Sequence, residues 1–324
     1  ISNVAVGRNS LNANSTGNNN TAIGRNALSA NTVSGNTAVG LSALGANTTG
    51  INNVAVGLAS NDSNTTGGNN TSTGYYSLSA NTTASYNTAY GSESLYSNTT
   101  GANNTATGYQ SLYSNTTGTQ NVALGKDSMK ATTTGSYNTA TGMEVMFTNT
   151  TGEGNTAYSR RALYSNTTGS RNVALGYSSL YNNTTAYENT AVGYHSLYSN
   201  TTGNKNTALG MYAGDNITTG SSNIIIGAEV DAPSATASNQ LNIGNTIYGD
   251  LSTGKVGIGT SSPAAELQVS GGTKGIIISQ NDTARDLGYY AQIRAPYADT
   301  SFELNVNNNK LITSGGYMNA TSLM

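Results

Sequence analysis

Along most of the chain one short pattern returns: a polar asparagine, a threonine or valine, an alanine, an apolar or aromatic residue, then glycine. Asn36-Thr37-Ala38-Val39-Gly40 and Asn53-Val54-Ala55-Val56-Gly57 are two copies. With that asparagine as position 0, units begin at Asn3, Asn20, Asn36, Asn53, Asn70, Asn87, Asn104, Asn121, Asn138, Asn155, Asn172, Asn189, Asn206 and Asn223. Every step is seventeen residues except the second, which is sixteen. A fixed period over fourteen units predicts one stacked coil per unit, and the single deletion, in "NTVSGN" (31–36), marks a loop that tolerates a missing residue.

Within a unit, the threonine or valine at +1, alanine at +2 and mostly β-branched or aromatic residue at +3 predict a short strand. Glycine at +4 ends it in every unit but one, where Ser159 stands instead. A second apolar point recurs at +8 as Leu11, Leu28, Leu44, Leu78, Leu95, Leu112, Met129, Met146, Leu163, Leu180 and Leu197, followed by the turn cluster N-T-T-G. Each lap therefore reads as strand, turn, strand, turn. A helical repeat would need runs of good helix formers, whereas Gly, Asn and Thr recur every few residues here.

Stacking like coils at the ~4.8 Å strand spacing gives fourteen coils a length of about 65 Å and sets each residue above its own copy. Ala at +2 and Leu at +8 become thin interior columns, and the asparagines become ladders that hydrogen-bond along the rod. Threonine occupies +1 in nine coils, which marks that column as half buried. So narrow a core buries little per coil, and a lone roll is expected to be marginal. Several chains around one axis would remedy this by covering the +3 column of Val6, Ile23, Val39, Val56, Leu124, Leu175, Val192, Leu209 and Ile226.

Composition agrees with a thin core: 35% of residues are apolar, 9% are charged, and Gly, Asn, Thr and Ser dominate. Disorder is disfavoured, since regularly placed β-branched residues run through a chain with only Pro233, Pro263 and Pro296. A net charge of −2 provides no electrostatic footprint for nucleic acid or an anionic membrane. There is no cysteine, hence no disulfide frame or thiolate metal site, and no apolar run reads as a signal peptide or membrane span. "ISNVAVG" already lies inside the repeat, so the natural chain is expected to begin further upstream.

From Gly227 the period is expected to end, in "AEVDAPSATASNQ", and eight of the fifteen acids lie beyond that point. The domain reading is a repeat β-roll shaft at 1–227, a neck or linker at 228–272 and a distal β tip at 273–324. Leu241 to Gly244 and Lys255 to Gly259 alternate strands and glycines, as a triple-stranded β neck would. "TKGIIISQ", "YYAQIRA", "SFELNV" and "KLITSG" read as the strands of the tip.

The N-[T/V]-A-[V/I/L]-G core resembles the head repeats of trimeric autotransporter adhesins, left-handed parallel β-rolls assembled as trimers. The longer unit N-T-A-x-G-x-x-S-L-Y-S-N-T-T-G, at 155–169 and 189–203, is more similar to repeats of bacteriophage tail-fibre proteins, and this resemblance covers about two thirds of the chain. The segment 239–271 resembles the linker that follows such repeats. In that family an endosialidase-type intramolecular chaperone often comes next, directs trimerisation and cuts itself off. Its Ser-Asp start and Lys-rich continuation are not in this sequence, so the resemblance implies that Met324 is the C-terminus left after release.

Candidate chemistry is sparse. "GKVGIGTSS" lacks the spacing of a phosphate-binding loop, and Ser262 stands where a third glycine is needed. His195, the sole histidine, sits at +6 among Tyr and Ser and is read as a surface residue, because one histidine builds neither a triad nor a zinc site within a chain. A polysaccharide-cleaving fibre would need two facing carboxylates; Asp282, Asp286, Asp299 and Glu303 are available but read as solvated loop acids.

Tyrosine stands out, with 21 copies against two Phe and no Trp. Tyr96, Tyr113, Tyr164, Tyr181 and Tyr198 share +9, one residue past the inward leucine, and are expected to form an outward ladder that shields the rod's edge or fills a groove between chains. Tyr289, Tyr290 and Tyr297 in the tip are the better receptor candidates. Turn asparagines 47, 64, 98, 115, 166 and 200 match N-x-[S/T], and any glycan there would coat the rod.

The expected architecture is thus an all-β, homotrimeric parallel β-roll or β-helix solenoid of about fourteen 17-residue coils with a β neck and a small C-terminal β domain. The expected function is that of a phage tail fibre in the virion, attached upstream to a baseplate or adaptor protein and presenting its tip to a host-surface carbohydrate or protein receptor. Alternatives are a bacterial surface adhesin or extracellular filament on the same rod and, less favoured, a fibre-borne depolymerase. No catalytic, cofactor or metal role is assigned, nor a nucleic-acid partner or membrane insertion.

Overall fold

The computed structural model describes residues 2–270; the expected tip, 273–324, with Tyr289, Tyr290 and Tyr297, lies outside the described residues. The described chain is an all-β parallel solenoid of about fourteen turns, with no helix among the described residues. Fourteen three-residue strands, from β1 (Val4–Val6) to β14 (Ile224–Ile226), fall at positions +1 to +3 of the fourteen units. Each pairs in parallel with its counterpart one unit on, alanine opposite alanine except where Ser72 and Ile225 take its place, as in Thr156↔Val173, Ala157↔Ala174 and Tyr158↔Leu175. We number the coils 1 to 14 by their strands.

Strand alternation aims +2 inward and +1 and +3 outward. From Ala22 to Ala208 the +2 alanines are buried, and so are the +8 leucines and methionines from Leu28 to Leu197. The +1 column is half buried or exposed, as its threonines implied. A third buried column was not foreseen: +7 holds small residues such as Ala27, Ala43, Ser94, Ser111 and Ala162, which let the +8 side chains meet the strand closely.

Two asparagine ladders run beside this core. At position 0, each Oδ1 accepts the backbone N–H of the next coil's asparagine at 2.8–3.0 Å, from Asn3 and Asn20 through Asn206 and Asn223. The same amide donates through Nδ2 to the carbonyl at +14 of its own coil, as Asn104 does to Gly118 at 2.8 Å. At +11, Asn47, Asn64, Asn81 and Asn98 each donate to the asparagine of the coil before. Thr132 interrupts this second ladder and leaves Oδ1 of Asn115 buried without a partner. In the sixteen-residue coil Val33 takes over the +14 carbonyl, accepting from Asn20 and Asn31, so the missing residue is one of the paired threonines.

Two expectations are corrected. The segment around +8 is not a second strand. It is a run of turns in which +6 and +8 are left-handed, with φ of 48–55° at the leucines and methionines. This backbone still bonds between coils: the +6 N–H donates to the preceding coil, as Asn26 does to Arg8 at 2.9 Å, and the +8 N–H donates to the following coil, as Leu28 does to Ala43 at 3.1 Å. A leucine in this region costs roughly 1–2 kcal/mol, which inward packing and the two-way bonding offset. The sequon asparagines 47, 64, 98, 115, 166 and 200 are also wholly buried, so a glycan on those amides is incompatible with the folded rod.

The glycine at +4 has a steric cause. Its φ is strongly positive, +128° at Gly108, and a Cβ there would lie 2.6 Å from the carbonyl of Gly125 in the next coil. At Ser159 the backbone swings to φ 94°.

Beyond Gly227 the sheet continues rather than stopping. Gln240, seventeen residues after Asn223, donates its N–H to the Asn223 side chain at 2.8 Å, and β15 (Gln240–Ile243) pairs in parallel with β14. Next come β16 (Ile247–Asp250) and β17 (Lys255–Ile258), antiparallel to the strand before each, then β18 (Leu267–Val269), parallel to β17.

Replacing Asn104 with alanine leaves the Asn121 N–H unpaired in the interior and the Gly118 carbonyl with the Asn115 amide as its remaining side-chain donor. We expect it to destabilise the rod by roughly 1–3 kcal/mol in thermal or denaturant unfolding. Gly108→Ala should destabilise by a comparable amount, about 2 kcal/mol or more, whereas Ser159→Gly should raise the melting temperature by relieving strain.

Candidate binding surfaces

Because the interior is filled by alanine, leucine and methionine columns and by asparagine amides, functional groups are confined to the outer columns. The first surface is the sheet face. Position +3 leaves Val6, Ile23, Val56, Tyr90, Leu124, Tyr158, Leu175 and Leu209 exposed, with Val6 at 56% and Tyr90 and Tyr158 at 60%. Val4 and Val54 at +1 and Leu41, Leu58 and Met211 at +5 extend this apolar row.

The second surface is aromatic. The +9 rings are half buried and stack at about the coil spacing: Tyr96 on Tyr113 at 5.1 Å, Phe147 on Tyr164 at 5.2 Å, Tyr164 on Tyr181 at 5.0 Å and Tyr181 on Tyr198 at 5.2 Å, all within 13° of parallel. Lys130, the +9 residue between Tyr113 and Phe147, sits over the Phe147 ring at 5.7 Å and keeps the column closed by a cation–π contact. The ladder expected from sequence is present, and its rings cover one edge of the core.

His195 belongs to this surface. It lies between Tyr194 at 4.2 Å and Tyr198 at 4.6 Å, with Tyr212 edge-on at 5.3 Å. Desolvation by these rings lowers its pKa from 6.5. It is thus a packed member of an aromatic cluster rather than a freely solvated residue.

The third surface is the turn edge at +15 and +16. Gly154 occupies +16, where neighbouring coils carry Tyr137 and Arg171, and opens a hollow of about 280 Å³ lined by Tyr137, Glu153, Gly154, Ser170 and Arg171. A second hollow of about 290 Å³, lined by Thr168, Ser170, Arg171, Thr185 and Tyr187, adjoins it through the shared Ser170 and Arg171. The Arg171 guanidinium is held by Glu188 at 2.9 Å. Aromatic rings, an exposed guanidinium and hydroxyls line both hollows, which are shallow.

Sequence reasoning missed this edge and a carboxylate pair at the end of the array. Tyr212, Asp215, Glu229 and Asp231 line one hollow of about 280 Å³. Burial first, then a side-chain hydrogen bond with Asp231 and that group's charge, pushes Asp215 up to about 6. The available signal was the sixteen-residue spacing of Asp215 and Asp231, which sets them one coil apart. No group of three or more His, Asp or Glu side chains among the described residues is placed to hold a metal ion. Asp282, Asp286, Asp299 and Glu303 lie outside the described residues, as do the three tip tyrosines. No helix of the described residues is long and apolar enough to cross a membrane.

Comparison with protein-family models, with curated proteins and with solved structures finds no match for this chain.

The two titrating sites have opposite signs. Asp215 binds its proton more tightly folded than unfolded, so it adds stability that is fully present below about pH 4 and is lost as pH rises through about 6. His195 resists its proton when folded, so its contribution is present above pH 6.5 and is lost as pH falls below that value. Melting curves from pH 4 to 8 should show Asp215→Asn losing the acid-side gain and His195→Gln losing the acid-side penalty.

Proposed function

We propose that the chain is the shaft and tip of a homotrimeric fibre, a phage tail fibre in kind, which holds residues 273–324 away from a virion and presents them to a host cell surface. The observation that carries this reading is the exposed apolar row on the sheet face. Val4, Val6, Ile23, Leu41, Val54, Val56 and Leu58 run along one side of the first four coils, on a solenoid with no wide core of its own. A second and third copy packed on that row would bury it and supply the apolar area that alanine and leucine columns alone do not. The repeat resemblance to tail-fibre proteins supports the same reading, and inter-coil bonding would make the shaft stiff, since bending requires breaking several coils' bonds at once.

On this reading the upstream partner is a baseplate or adaptor protein and the receptor is a carbohydrate or protein of the host surface, met by Tyr289, Tyr290 and Tyr297. A bacterial adhesin or extracellular filament would use the same rod and differ only in what lies upstream of Ile1. The depolymerase reading has the least support, because the carboxylates that do face each other in the described residues, Asp215 and Asp231, hydrogen-bond to one another and do not stand apart across a groove as glycoside hydrolysis needs.

Light scattering on the purified chain should return three times 33.1 kDa; a folded monomer would remove the trimer from the proposal. Tyr289→Ala, Tyr290→Ala and Tyr297→Ala together should abolish adsorption to host cells while leaving the trimer mass unchanged. Release of oligosaccharide from host capsule would instead favour the enzyme.

A further inference from the structure

The core is not continuous. One buried cluster runs from Ala22 to Ala55 in coils 2 to 4, and a second begins at Leu78 in coil 5 and runs to the end of the array. Between them, at +8 of coil 4, stands Asn61 in place of leucine. Its side chain is wholly buried, and neither Nδ2 nor Oδ1 has a hydrogen-bond partner among the protein atoms.

The surroundings are polar in a way no other coil repeats. Ser72, at +2 of coil 5, replaces the alanine and lies 2.6 Å from Ser60 Oγ, while Ser77 lies 3.0 Å from the same oxygen. The hydroxyls of Ser72 and Ser77 also reach the carbonyls of Val54 and Gly74. This closed set of bonds satisfies the serines and leaves the Asn61 amide out. The backbone is undisturbed: Asn61 has φ 50°, as the leucines do, and its N–H donates to Ser77 at 2.9 Å. Only the side chains break the pattern.

A buried amide with four unmet hydrogen-bonding valences is among the most costly groups an interior can hold, and asparagine is smaller than the leucine whose column it interrupts. A polar interior position where a smaller side chain stands in a leucine column takes up water, which supplies the missing bonds. We propose that Asn61, with Ser60, Ser72 and Ser77, forms an internal water-binding site, and that this hydrated joint divides the shaft into two blocks that open separately, coils 1 to 4 and coils 5 to 14. In a stacked array, stability is the sum of coil terms and nearest-neighbour interfaces, so one weak interface is where cooperativity breaks.

Hydrogen exchange read by mass spectrometry on the full chain, in its native assembly, tests the joint. In the wild type, amides of coils 2 to 4 should exchange together and faster than those of coils 6 to 12. The double variant Asn61→Leu/Ser72→Ala, which restores the residues found in most other coils, should slow exchange in coils 2 to 4 by roughly tenfold to a hundredfold and merge the two blocks. The single variant Ser72→Ala, which keeps Asn61, should leave two blocks. One uniform exchange class in the wild type, or unchanged coils 2 to 4 in a folded double variant, would overturn the joint. Hydration is read directly by NMR: cross-peaks from the Asn61 side-chain amide protons to water support it, and a dry amide rejects it.

Discussion

Every coil is registered on the next by one asparagine amide that is asked for both of its polar functions. Its oxygen receives the N–H that opens the following strand, and its nitrogen closes the turn of its own coil through the +14 carbonyl. In a low-dielectric interior such a side chain is favourable only while every valence is met, so a shift by one residue would orphan a donor and an acceptor in each coil at once. Register is therefore set by polar satisfaction as much as by the alanine and leucine columns. Thr132 shows the consequence locally: a hydroxyl replaces an amide, and Asn115 loses the partner for its oxygen.

This bonding also makes the backbone possible. The non-glycine residues at +6 and +16, and those at +8 as far as Leu197, sit at positive φ, a conformation an isolated chain visits rarely. No single coil would hold it. Stacked coils do, because the left-handed residues direct their N–H groups along the rod, some toward the coil before and some toward the coil after. Strain and ladder thus arise together, and the fold is cooperative between neighbours even though each coil touches only the two beside it.

A narrow interior moves the chemistry outside and makes it columnar. Aromatic rings stack on rings and charges find partners one coil away, as Arg161 does with Glu144 at 2.6 Å and Arg171 with Glu188. Individual features arise where a column is broken: Gly154 opens a hollow beside Arg171, and the Asp215 and Asp231 pair concentrates like charge near the shaft's end. A repeat protein of this kind carries its information in departures from the repeat.

Period, strand position, inward alanine and leucine, the need for glycine at +4 and the stacked tyrosines were all legible in the chain, because each follows from alternation and from like residues recurring at one interval. The left-handed path through +6 and +8 was not: leucine and asparagine there look like an ordinary strand, and only bonds from coils on both sides make that backbone favourable. Nor could the threonine-flanked asparagines be told from exposed turn residues until the coils closed over them. Gln240 reads as the start of a neck until its N–H is seen to meet Asn223, and Asn61 as one more turn residue until Leu44 and Leu78 enclose its column. Spacing along the chain specified what lies above what, but which groups lose water, and so which must find partners, was decided only when the coils were stacked.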